Sequence, residues 1–299
     1  MNTASRLSTG ISDLDQLLGG GLLPGTLTVV LGATGIGKTQ LGLQFAHAGR
    51  ECEGQAGVIF DMATRGDSQS HQEYAQRMFG WSLSGGGLPD REQTWQDPAQ
   101  IWDPQHARTD YLHAFRRSGR RVTIRDMEFD DWKEWKQEFA NKLQGTIGFF
   151  YGNFVHGVRR CVIDGIEPTE QASDSFQMHT FDYIYHQILH KEDSWVARDL
   201  FRVQFREQQP QVEQHHYDHT QIASLMLYTT HEVMLDELLT RRIESGDALA
   251  NANTVILMGK VRSGASMRRA LHVAKHRGSA CSDRIAEFEI TDQGLHLTD

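Results

Sequence analysis

Cysteine is scarce: the 299 residues contain three, Cys52, Cys161 and Cys281. Their odd number and wide spacing exclude a disulfide framework and the close Cys pairs of a structural zinc site. A reducing, cytoplasmic setting is the expectation that follows. Long apolar runs are missing as well. No stretch approaches the roughly 20 residues that span a bilayer, and the opening Met1-Asn2-Thr3-Ala4-Ser5-Arg6 lacks the apolar centre of a secretory leader. Both absences point to a soluble protein with no membrane partner. Basic residues are in deficit, 30 Lys and Arg against 39 Asp and Glu, for a formal net charge of −9. Binding nucleic acid through the bulk of a surface needs the opposite balance, so nucleic acid is an unlikely partner on charge grounds. The tryptophans are scattered, without the spacing of a base-stacking surface. Two histidine groups, His186 with His190 and His215-His216 with His219, lack a further ligand at telling spacing and read as solvated. No internal repeat is present.

Against these absences stands one dense motif, Gly32-Ala33-Thr34-Gly35-Ile36-Gly37-Lys38-Thr39. It matches the phosphate-binding loop pattern G-x-x-x-x-G-K-[ST] at every fixed position. Three glycines let the backbone turn tightly, so that successive N–H groups point inward at phosphate oxygens. Lys38 is expected to reach the β and γ phosphates of ATP, and the Thr39 hydroxyl to complete a Mg²⁺ shell. The flanks agree with this reading. Thr26 to Leu31 is apolar and β-branched, a buried strand. Thr39 to Ala46, with Leu41 and Phe45 on one face, is a helix whose positive end faces the phosphates.

A phosphate loop needs an acidic partner on a buried strand to hold the Mg²⁺ water shell. Arg160-Cys161-Val162-Ile163-Asp164 supplies such a strand ending in a carboxylate, and Asp164 is favoured for this role. Asp126, after Ile124-Arg125, competes but follows a less apolar run. Ala56 to Asp61 is a second strand, with a loop from Met62 to Asp67 and a helix from Ser68 to Met78. Ahead of the motif, Ser12 or Asp13 is expected to cap a short helix carrying Leu14, Leu17 and Leu18. Residues 83–118 have little periodicity and read as a long surface excursion. Further elements are a short strand at Arg121 to Ile124 and a helix at Asp130 to Leu143. A second, largely helical excursion covers about 171–220, with one apolar face on Phe181, Ile184, Tyr185, Ile188 and Leu189 and another on Trp195, Leu200 and Val203. Core strands follow at Ser224 to His231 and Thr254 to Met258.

The lead-in Thr9-Gly10-Ile11 through Leu17-Leu18-Gly19-Gly20-Gly21-Leu22, set directly ahead of the loop, resembles the KaiC/RadA branch of the RecA-like ATPases. Phe79-Gly80-Trp81, the run Lys275-His276-Arg277-Gly278-Ser279 and the hairpin pattern Phe288 to Gly294 extend the resemblance to about residue 296. It implies a single RecA-like α/β P-loop domain with a mostly parallel, twisted sheet, helices on both faces and a C-terminal β-hairpin. In that family acidic residues at the end of the second strand position the attacking water. Here Ala63 and Thr64 fall on the paired glutamate positions and Asp61 lies two residues early; Asp61 serves only if a bulge or local shift brings it forward, and Asp67 is a remoter candidate. Otherwise Asp61 is a strand-end residue that caps a turn. Thr229 to His231 fall where relatives sense the γ phosphate. Lys275 and Arg277 match a pair that acts on the γ phosphate of a neighbouring subunit, which implies a ring-type homo-oligomer, most often a hexamer. The function implied is a slow Mg²⁺-dependent ATPase whose nucleotide state controls assembly or an unidentified protein partner. The alternatives are a nucleotide-gated scaffold with little hydrolysis and a RadA/RecA-like recombination factor.

Overall fold

Alternate residues of the central strands supply two separate cores. In β1 (Leu27–Ala33) the side chains of Leu27, Val29 and Leu31 pack into one apolar cluster and Val30 into another. The same alternation divides Val58 and Phe60 from Ile59 in β2 (Val58–Asp61), and Cys161 and Ile163 from Val162 in β5 (Arg160–Ile166). A strand buried on both faces is apolar through most of its length, which is why the centres of these segments read as near-continuous hydrophobic runs. The computed structural model describes residues 6–63, 70–87, 99–114, 143–168, 175–241, 248–278 and 280–298. The segments assigned from sequence to a strand at 121–124 and most of a helix at 130–143 lie outside these residues, as do Asp126, Thr64 and Asp67.

Among the described residues ten strands form one sheet in the order β10-β9-β8-β7-β1-β6-β5-β2-β4-β3. The remaining strands are β3 (Gly85–Gly87), β4 (Tyr111–His113), β6 (Ala223–Thr230), β7 (Thr254–Ser263), β8 (Ser266–His276), β9 (Ile285–Thr291) and β10 (Gly294–Thr298). From β7 to β3 all pairings are parallel, whereas β7-β8, β8-β9 and β9-β10 are antiparallel. Helices α1 (Ser12–Leu17), α2 (Lys38–Cys52) and α3 (His71–Phe79) cover one face. The helical residues 143–155 and the helices between 176 and 214 cover the other. This is the mixed α/β, RecA-like architecture, with its C-terminal hairpin, that the sequence implies.

Four local features differ from expectation. The start of α1 is held by a downstream residue and not by a cap at Ser12 or Asp13. Asp15 accepts from the Thr9 amide and hydroxyl, both at 2.7 Å, and from the Ser8 hydroxyl at 2.5 Å. The 83–118 segment is more than a surface excursion. It adds β3 and β4 to the parallel edge and buries Ile101, Ala107, Leu112 and Ala114. Strands of three residues are too short to show a period, so the sequence pattern misses them. Trp81, fully buried, helps hold this edge by donating to Asp110 at 3.0 Å. In the second excursion Phe181, Ile184, Ile188 and Leu189 are buried as expected, but the next face is Val196, Ala197, Leu200 and Phe201. Trp195 is 57% and Val203 96% exposed. Arg202, at φ 48°, breaks the helical phase between Leu200 and Val203. Finally, Gly32 lies inside β1, and a Cβ there would sit 2.4 Å from the Met258 carbonyl oxygen. This first glycine of the loop motif serves close packing against β7 and not a tight turn.

One buried ion pair fastens the sheet to α2. Arg160, at the start of β5, is fully buried and reaches Glu53 through two hydrogen bonds of 2.6 and 2.9 Å. Its Nη1 donates to the carbonyls of Ser8 and Phe45 at 2.6 and 2.8 Å.

Candidate active site

The loop after β1 turns at Gly35 (φ 75°) and Gly37 (φ 122°), backbone conformations that side chains beyond glycine rarely adopt. Gly37 occupies the N-cap position of α2 and no side chain caps the helix, so its first amides are open to an anion. The hairpin β9-β10 supports the loop from one side: a Cβ on Gly37 would lie 2.7 Å from Ile290. Gln44 of α2 fixes the hairpin in turn, donating to the Leu295 carbonyl (3.1 Å) and accepting from its amide (2.7 Å). The Lys38 ammonium donates to the carbonyls of Gly32 and Ala33 at 2.9 and 3.0 Å. Burial lowers its pKa to about 8, and the nearby charge of Asp164 works in the opposite direction. Lys38 is therefore still mainly cationic near neutrality.

Strands β1, β5, β2 and β6 all deliver their carboxyl ends to the same crevice, the usual ligand position in an open parallel sheet. A cleft of about 530 Å³ opens there. On one side stand Thr34, Gly35, Lys38 and Thr39, and across from them Asp61, His71, Tyr111 and Asp164. Thr39 and Asp164, 125 residues apart, are joined by a 2.8 Å hydrogen bond from the threonine hydroxyl to Oδ2. The same Oδ2 accepts from His71 Nε2 at 2.9 Å, and Oδ1 accepts from the Gly165 amide at 2.6 Å. Burial alone would raise the Asp164 pKa. His71, Thr39 and Lys38 outweigh it and hold the carboxyl below its usual range. His71 is raised above the ordinary histidine value: burial opposes this, but the bond to Asp164 and the charges of Asp61 and Asp164 prevail.

Asp61 reaches the cleft without a bulge. Strand β2 pairs with β5 in regular register, Asp61 facing Asp164. Its Oδ2 accepts from the Tyr111 hydroxyl at 2.6 Å and lies 3.4 Å from His71 Nδ1, while Oδ1 accepts from the Ala63 amide at 2.8 Å. The residue therefore caps its own turn and lines the cleft together. Ala63, just past the end of β2, lines it too. Oxygen donors from Thr39 and Asp164 suit a hard cation such as Mg²⁺, and the open amides and Lys38 suit the phosphates of a nucleotide. The residues present thus fit Mg²⁺-ATP.

Other predicted residues stand apart. Thr229, Thr230 and His231 border the cleft. Lys275 and Arg277 do not line it; both donate to the Ala250 carbonyl, at 3.2 and 3.3 Å. His71, Tyr111 and His113 enter the site without having been singled out by sequence. Only the position of His71 at the start of a helix hinted at it. The strand carrying Tyr111 and His113 left no periodic trace.

Comparison with known proteins adds relatives to this geometry. The family described as "ATPase: KaiC" matches residues 7–85. The DNA repair protein RadA of Mycobacterium tuberculosis (strain CDC 1551 / Oshkosh) is 51% identical over 39 residues, 13% of this chain and 8% of the relative. The DNA repair protein RadA of Mycolicibacterium smegmatis is 39% identical over 75 residues, 22% of this chain and 16% of the relative. The chain thus spans less than a fifth of the length of these curated relatives, and the family match covers residues 7–85, which include the lead-in and the phosphate loop.

Proposed function

We propose that this chain is a member of the KaiC/RadA branch of the RecA-like P-loop ATP-binding proteins, a reading supported by the match over residues 7–85 and the two RadA likenesses, and that it binds Mg²⁺-ATP and hydrolyses it slowly. The observation that carries the reading is the hydrogen bond between Thr39 and Asp164. It brings the two elements that share a nucleotide's metal to one point. Lys38, the loop from Gly32 to Gly37 and the amides of α2 hold the phosphates. Thr39 and Asp164 hold Mg²⁺, which when bound offsets the charge that develops on the transferring phosphoryl group. Asp61 orients the attacking water. Alanine at position 63, where the family carries an acid, leaves one carboxylate on β2 for this task and makes turnover slow. The same alanine favours the second reading, a nucleotide-gated scaffold with little hydrolysis.

Lys275 and Arg277 act in trans on a neighbour's γ phosphate, which makes the working unit a head-to-tail homo-oligomer, a six-membered ring by family resemblance. The nucleotide state of that assembly regulates itself or a protein partner, and the acidic balance of the chain speaks against nucleic acid as that partner. The free thiols Cys52, Cys161 and Cys281 suit the reducing cytoplasm, where ATP is available.

The test is Lys38→Ala, with affinity read from a fluorescent ATP analogue. Charge-assisted hydrogen bonds contribute roughly 1.5–3 kcal/mol, so binding should weaken about 10- to 100-fold or more. Unchanged affinity would sink the phosphate-loop reading.

A further inference from the structure

The cleft holds a pair of carboxylates on adjacent strands, Asp61 and Asp164, which face each other in register. Two like charges so placed repel unless something stands between them. Here it is His71. Its Nε2 lies 2.9 Å from Asp164 Oδ2 and its Nδ1 3.4 Å from Asp61 Oδ2. A carboxylate can only accept, so Nε2 is the donor toward Asp164. The chain of contacts continues to Tyr111, whose hydroxyl holds Asp61 at 2.6 Å and whose ring lies 5.4 Å from that of His71. The backbone is fixed with equal care. His71 is the first residue of α3, directly after Ser70, whose side chain and that of Glu73 cap each other's amides.

Thr39 and His71 share one oxygen of Asp164. A threonine hydroxyl has one proton and two lone pairs, so Thr39 can offer a lone pair to a cation while its proton stays on Asp164. Of the two side-chain donors to Asp164 Oδ2, His71 is the one that holds the carboxylate without itself offering an oxygen to the cation. We propose that His71 is a positioning residue for Mg²⁺: it fixes the orientation of the Asp164 carboxylate, and Tyr111 with Asp61 fixes His71. Partners of this kind set the rotation of a ligand and are worth 10- to 100-fold in metal affinity. The sequence assigns His71 no such task, and the four residues come from four separate elements, β4, β2, α3 and β5. The inference rests on the Mg²⁺-ATP reading of the cleft.

The experiment titrates Mg²⁺ against N-methylanthraniloyl-ATP bound to the full chain, by fluorescence, with a parallel titration in EDTA. His71→Ala should raise the Mg²⁺ concentration at half-saturation about 10- to 100-fold and leave affinity in EDTA unchanged. His71→Gln keeps an amide donor near the Nε2 position and should recover most of the loss; circular dichroism verifies that both variants are folded. Direct Mn²⁺ binding, followed by electron paramagnetic resonance with the nucleotide present, should show the same order: wild type, then Gln, then Ala. Equal Mg²⁺ half-saturation in wild type and His71→Ala overturns the role of His71 alone. So does a loss in His71→Ala that is as large in EDTA as in Mg²⁺, or an absence of recovery in a folded His71→Gln. Wild-type nucleotide binding that ignores Mg²⁺ overturns both this inference and the reading beneath it.

Discussion

On the proposed reading, the aspartate at residue 61 takes the task that the family pattern assigns to longer acids two positions on. A carboxylate placed to polarise water contributes about 10²- to 10⁴-fold to a rate. Asp61→Asn keeps the size of the side chain and an acceptor for the Tyr111 hydroxyl, so steady-state ATP turnover should fall by that factor while nucleotide affinity stays within about twofold. If turnover is unaffected by Asp61→Asn, the water is oriented by another group. The contrast between Asp61 and Lys38 also marks how far the site is legible before folding. Lys38, Thr39 and Asp164 are local in pattern, each next to its own strand or helix, and a reader of the sequence finds them. Asp61, His71 and Tyr111 meet only because β4 pairs with β2 and β2 with β5 in one register. Nothing within a few residues of any of them encodes that meeting.

For elements the same distinction holds. Strands β1, β5 and β6 each carry an apolar central run and stand out in the sequence, whereas β3 and β4, three residues each, do not. Gly85 to Gly87 carry turn residues but sit at the sheet edge, where a strand needs a partner on one side only. The join between α2 and β5 gives a measurable case. Arg160 and Glu53 are paired in a buried setting, and removing one partner from such a pair costs about 3–5 kcal/mol, because the other charge stays buried without compensation. Arg160→Met should therefore lower the urea midpoint substantially. The double change Arg160→Met with Glu53→Met should recover part of the loss, since replacing both partners by apolar groups is far less costly. A single variant as stable as the wild type would mean that Glu53 finds water or another partner.

For the whole molecule the decisive observation concerns what the cleft does not contain. Lys275 and Arg277 are anchored on the Ala250 carbonyl and do not line the nucleotide cleft of their own chain. With a slowly hydrolysed ATP analogue and Mg²⁺ at about 20 µM protein, light scattering should show a mass several times that of the chain. Ligand held across a contact stabilises the assembled state. Arg277→Ala should remain smaller and bind the analogue more weakly than the assembled wild type, because a ligand that favours assembly is held more tightly by it. A wild-type monomer with and without the analogue would remove the action in trans and leave a solitary nucleotide-binding unit.

The bracing of the phosphate loop by the last hairpin has a consequence in time. A ribosome that has released the first 240 residues has already delivered Lys38, Thr39, Asp61, His71, Tyr111 and Asp164, all the groups that touch the cleft's reacting side. It has not delivered Ile290, against which Gly37 rests, or Leu295, to which Gln44 is bonded across 251 positions of chain. Contacts of such separation form late, after the entropy of closing the intervening chain has been met. Through most of its synthesis the polypeptide thus carries an unbraced loop. If the cleft takes nucleotide as proposed, capture in the native geometry waits until translation has passed the hairpin.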